Sequence, residues 1–160
     1  MTVSHMGSDF DRAVSEAISH IGISTYSSGK IRQFLIKKGY DEGLASSVVS
    51  SLTERGYIDD RKAAGQVLLF RNGKKRESRD FSYKRLIEAG VASDIASEVC
   101  EGLPDDLDAA YELFESSLVD KGDINADQFI RKALSLASRR GFSFESAQKA
   151  LRKWIDNRQN

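Results

Sequence analysis

The sequence predicts an all-α protein of three tandem three-helix repeats, arranged as an elongated, curved row. Three observations carry that expectation. A single proline, Pro104, occurs in 160 residues, and apolar residues recur at spacings of three and four. Glycines at 39, 90 and 141 stand 51 residues apart, each inside a similar tract. Around each glycine the same classes of residue return: Leu35, Leu86 and Ala137 four places before it, and Tyr40, Val91 and Phe142 one place after. Further on come Ala45, Ala96 and Ala147, then Val48, Val99 and Ala150, then Val49, Cys100 and Leu151, and finally Leu52, Leu103 and Trp154. These offsets trace one face of a helix. The glycine ends the preceding helix in the left-handed conformation, and the apolar residue after it plugs the corner. Ser146 interrupts the series of Leu44 and Ile95, which leaves the third repeat looser there.

Each element has its own justification. Residues 1–8, MTVSHMGS, read as a disordered start or a tag remnant. Repeat one, 9–57, opens with a helix at 9–21 whose Phe10, Ala13, Val14, Ala17, Ile18 and Ile21 keep helical spacing, followed by helices at 28–38 and 42–54. Repeat two, 58–103, has a helix from Asp59 or Asp60 to about Asn72, then helices at 78–89 and 92–102. The paired aspartates suit the positive end of a helix dipole. Repeat three, 104–158, starts after Pro104 with a longer helix to about Lys121; Asn125 caps the next helix and Ser143 the last. Units this small gain by packing on neighbours, and such rows offer long contact surfaces that favour binding over catalysis.

The residues that carry most chemistry are missing or misplaced, so no enzyme, cofactor or metal site is expected. His5 and His20 are the only histidines, and neither has a catalytic or metal-ligating neighbour at useful spacing. Cys100, the only cysteine, falls in the apolar series as a small buried hydrophobe and points to a reducing cytoplasm. SSGKI at 27–31 lacks the leading glycine of a phosphate loop, and Ile31 replaces the hydroxyl that would bind magnesium. DINAD at 123–127 imitates the start of a calcium loop, but Gln128 and Leu134 stand where glycine and the bidentate glutamate are needed. The longest uncharged apolar run is VLLF at 67–70, so no membrane span is expected. A monomer fits the lack of a heptad seam.

Charge placement says more than the net charge of zero. From Arg71 to Arg85 seven basic residues stand against two acidic; from Arg131 onward, eight against two. Between them, Glu98–Asp123 carries nine acids and one lysine. Basic zones interleaved with Phe70, Phe81, Tyr83 and Trp154 can track a phosphate backbone, or can be solvated helix faces whose aromatics belong to the core. In the C-terminal zone the solvated-face reading is favoured, because cations suit helix C-termini. Tyr40, Tyr57 and Phe142 are assigned to the core.

The tract IRQFLIKKGYDEGLASSVVSSLTERGYIDD at 31–60, the basic linker NGKKRESRDFSYKRLIEAGV at 72–91 and KALSLASRRGFSFESAQKALRKW at 132–154 together resemble the RecX family, bacterial regulators of the RecA recombinase. The order of these tracts, spanning nearly all of 9–158, carries the resemblance. Two departures stand out: Lys62 and Ala63 where the family usually has arginine and an aromatic, and Ser82 in the slot that Ile31 fills one repeat earlier. The resemblance implies binding along the groove of the RecA nucleoprotein filament, lowered ATP hydrolysis and strand exchange, and limited repressor cleavage, in DNA repair and the SOS response. With it goes an expected contact through Lys74, Lys75, Arg76, Arg79, Lys84 and Arg85, with weak direct DNA binding. Two other classes remain: a helix-turn-helix-like DNA binder, for which 42–54 has no Arg, Asn or Gln to pair with bases before Arg55 but 143–157 carries Gln148, Lys149 and Arg152, and a helical scaffold for another protein.

Overall fold

A computed structural model describes residues 2–118 and 125–160, with side chains from Gly7 onward. Among the described residues every regular element is helical: α1 Thr2–Ile21, α2 Ser28–Lys37, α3 Glu42–Glu54, α4 Asp60–Leu68, α5 Arg79–Glu88, α6 Ser93–Glu101, α7 Asp106–Ser117, α8 Ala126–Arg139 and α9 Phe144–Gln159, with one 3-10 turn at Gly73–Lys75. Three boundaries differ from expectation, one being the end of α7, which stops at Ser117 because Leu118 is extended. α1 begins at Thr2, so residues 2–8, read as disordered from sequence, belong to a helix. α4 stops at Leu68, before the expected end at Asn72, because Asn72 is extended and Gly73 is left-handed with φ of 55°. Lys121 and Asp123, invoked for the end of α7 and for the calcium-loop imitation, lie outside the described residues.

Short polar side chains set the helix starts. Ser27, Asp41, Ser78, Asp105, Asn125 and Ser143 each accept a backbone N–H of the following turn, at 2.7 to 3.3 Å. Asp59 does the same for Lys62 at the head of α4. The helix ends follow the glycine register: Gly39, Gly90 and Gly141 have φ of 101°, 86° and 86°. The next residue's N–H then reaches back to a helix carbonyl, Tyr40 to Leu35, Val91 to Leu86 and Phe142 to Ala137, at 3.0 to 3.2 Å. That backbone closure satisfies carbonyls a helix end would leave bare.

The chain divides into two compact units: Met1–Val67 with Leu86–Ala96, and Leu68–Arg85 with Ser97–Asn160. α5 and α6 therefore each contribute residues to both. The core of unit 1 gathers Ala13, Ala17 and Ile21 of α1, Ile31 and Leu35 of α2, and Ala45, Val48 and Leu52 of α3, closed by Ile58. The core of unit 2 gathers Ala109, Leu113 and Phe114 of α7, Ala133 and Ala137 of α8, and Ala147, Ala150, Leu151 and Trp154 of α9, with Phe142 at the corner. Alanine at the facing positions lets the helices approach closely, and each wholly buried Leu or Phe adds about 2 kcal/mol. Tyr40 is only half-buried, and Tyr57 is a correction: it is 43% exposed, its ring under Arg55 at 5.2 Å, because the turn after α3 carries it outward.

Candidate interaction surface

The basic segment Arg71–Arg85 lies in unit 2, where its six expected contact residues separate into two groups. The arginines are held by the protein. Arg76 pairs with Glu112 of α7, which also accepts the Gly73 N–H at 3.3 Å and so fixes the 3-10 turn. Arg79 donates to the carbonyl oxygens of Glu101 at 3.1 Å, Pro104 at 3.2 Å and Leu103, closing the end of α6, while its N–H reaches Asp106 at 3.0 Å. Arg85 grips Glu77 through Nε and Nη2 at 2.8 and 2.9 Å. The Glu77 side chain is 2% exposed and Arg85 35%, so the carboxylate is desolvated and depends on a guanidinium that still reaches water.

The lysines face water. Lys74 and Lys75 are exposed on the 3-10 turn and form no ion pair among the described residues. Lys84 meets Asp80 at 3.0 Å, both well over half exposed, an arrangement worth little in high dielectric. The acidic zone thus neutralises part of the basic one: Glu112 and Asp106, 27 to 36 residues downstream, occupy Arg76 and the Arg79 backbone.

One cation that sequence reasoning set aside joins this surface. Arg140 donates to the Lys74 carbonyl at 3.1 Å, and its own carbonyl accepts the Ser78 N–H at 2.9 Å. Its backbone role is shared with the matched residue Ala89, whose carbonyl accepts from the Ser27 hydroxyl at 2.7 Å, but nothing in the sequence signals the reach of its side chain to Lys74. The interleaved aromatics divide as well: Phe70 is 73% exposed, Phe81 36%, Tyr83 half-buried and Trp154 in the core.

Among the described residues no three His, Cys, Asp or Glu side chains converge on a metal position. Cys100 is buried, and that burial, more than any neighbouring charge, pushes its thiol pKa up, away from nucleophile chemistry. His20 is exposed and stacks on Phe34 at 3.9 Å. No described helix is long and apolar enough to cross a membrane. Gln148, Lys149 and Arg152 of α9 are exposed, with Lys149 paired to Glu145 at 3.0 Å.

No family model matches the chain. The regulatory protein RecX of Pelodictyon phaeoclathratiforme is 27% identical over 140 residues, covering 88% of this chain and 87% of that protein. The crystal structure of RecX from Lactobacillus salivarius superposes with a TM-score of 0.73 over 93% of this chain and 98% of its own, at 13% identity. The chain is thus similar to a RecX protein in sequence and to RecX crystal structures in fold. A second RecX crystal structure, 12% identical, covers 88% of this chain and 71% of its own at a TM-score of 0.65. Ser82, a departure from the pattern that the sequence resembles, has a partner here: its hydroxyl lies 3.4 Å from the buried Glu77 carboxylate, which an isoleucine would leave with one donor fewer.

Proposed function

We propose that the chain binds the RecA nucleoprotein filament and lowers its ATP hydrolysis, strand exchange and stimulated repressor cleavage, acting as a cytoplasmic monomer in DNA repair and the SOS response. The observation that carries this reading is the division of the basic segment. Arginines pinned by Glu112, Glu77 and the end of α6 hold a fixed backbone, from which Lys74, Lys75 and Lys84 project into solvent. The preformed backbone loses little freedom on binding, and its lysines suit an anionic surface, whether acidic protein or enclosed DNA. The arginines then act indirectly, by positioning the lysines. Kinship to a RecX regulatory protein over most of both chains supports the same partner.

The deciding experiment is the single-stranded-DNA-dependent ATPase of RecA from the same organism, titrated with this protein at saturating DNA. A fall in rate at substoichiometric protein is expected and marks direct action on the filament. A flat rate would leave the fold standing and transfer the case to a scaffold or a DNA binder.

A further inference from the structure

The turn that follows α4 carries an apolar pair directly beside its cations. Leu69 and Phe70 are 60% and 73% exposed, and Arg71, Lys74 and Lys75 follow within five residues. Being adjacent, the two form a small apolar patch and not a singly scattered exposed side chain. The segment is not slack. The Arg71 N–H bonds the Leu68 carbonyl at 2.9 Å, the Asn72 amide reaches the Leu69 carbonyl at 3.5 Å, and Glu112 holds Gly73 and Arg76. Glycine is favoured at 73 by its left-handed backbone, φ 55°, with an added Cβ also coming within 3.3 Å of the Ser116 hydroxyl. The side chains at 69 and 70 are therefore presented on a fixed backbone, as the anchors of binding hot spots are.

We propose that Leu69 and Phe70, with Arg71, Lys74 and Lys75, dock an acidic segment of the filament protein that offers an apolar side chain. The assignment to the filament protein rests on the function proposed above; the chemistry of the surface does not. Arg71, Lys74 and Lys75 form no ion pair among the described residues, so the complement of this patch is anionic. A polypeptide fits better than a nucleic acid, because an apolar side chain packs on both Leu69 and Phe70, whereas a base stacks on Phe70 alone.

Two measurements on the full chain test this. In a titration of RecA filaments on single-stranded DNA, the Leu69→Ser/Phe70→Ser variant should bind at least about tenfold more weakly with an unchanged salt slope. Binding within about twofold of the unsubstituted chain would overturn the proposal. Failure of the unsubstituted chain to bind would instead remove the filament reading, and the second measurement then decides the docking chemistry. It follows the amide NMR signals of residues 69–75 against three probes: a Glu-rich peptide containing Leu and Phe, a peptide of Glu and Gly alone, and a thymidine oligonucleotide. Shifts dominated by the first peptide support the docking site. Equal shifts from both peptides, larger shifts from the oligonucleotide, or none at all would overturn it.

Discussion

Helix α2 in unit 1 and helix α5, whose first residues belong to unit 2, begin on the same plan and are stabilised by opposite means. Ser27 and Ser78 stand 51 residues apart, and each caps its helix while touching the chain at a glycine turn, Ala89–Gly90 in unit 1 and Arg140–Gly141 in unit 2. The next backbone N–H finds an aspartate in both cases, Ser28 to Asp60 at 2.7 Å and Arg79 to Asp106 at 3.0 Å. The interiors then diverge. In unit 1 the slot is apolar: Ile31 wholly buried, with Tyr26 and Phe34 on the core and His20 stacked on Phe34. The residues 51 places later are Ser82, Glu77 and Arg85, a hydroxyl against a buried ion pair. One backbone register therefore accommodates either an aromatic cluster or a salt bridge. Half of the positive charge that a sequence reader assigns to a partner is used inside the protein.

That comparison can be broken first at the ion pair. Arg85→Ala leaves the Glu77 carboxylate buried without its cation and should cost about 3 kcal/mol, read as a lower urea midpoint. If unit 1 shows the true alternative, Glu77→Tyr/Ser82→Ile/Arg85→Phe should recover most of that loss, since well-packed apolar groups replace buried ion pairs at little cost. A triple variant no more stable than Arg85→Ala would mean the two slots are not equivalent.

The glycines give a smaller, graded effect. A Cβ at Gly90 would meet Ser27 Oγ at 2.5 Å, and one at Gly141 would collide with Phe81 and Ser78, whereas Gly39 has nothing within 4 Å. Gly39→Ala should therefore cost about 1 kcal/mol, for the left-handed backbone alone. Gly90→Ala and Gly141→Ala should cost about 2–3 kcal/mol, with overlap added to strain. Equal melting shifts at all three would contradict the junction geometry.

The sequence made the helices, their glycine ends and most core faces legible, because those depend on neighbours within a few residues. Leu35, Leu86 and Ala137 are all wholly buried as their register required. It could not show which arginines are engaged, because Arg76 finds Glu112 36 residues away and Arg140 finds Lys74 66 residues away. Periodicity reports which face turns inward and is silent on the partner met there. Tyr57 escaped, and Phe70 stayed open between two readings, for a related reason: each follows a helix end, where the chain's new direction, not helical spacing, decides exposure.

The claim that matters most is the division of labour between pinned arginines and outward lysines. It is tested by the affinity of Lys74→Gln/Lys75→Gln/Lys84→Gln for RecA filaments across a salt series, with melting temperature as the control. The expected variant melts as the parent does, within about 0.5 kcal/mol, yet binds about tenfold more weakly and with a flatter salt dependence. A folded triple variant with the parent's affinity and salt slope would contradict the account.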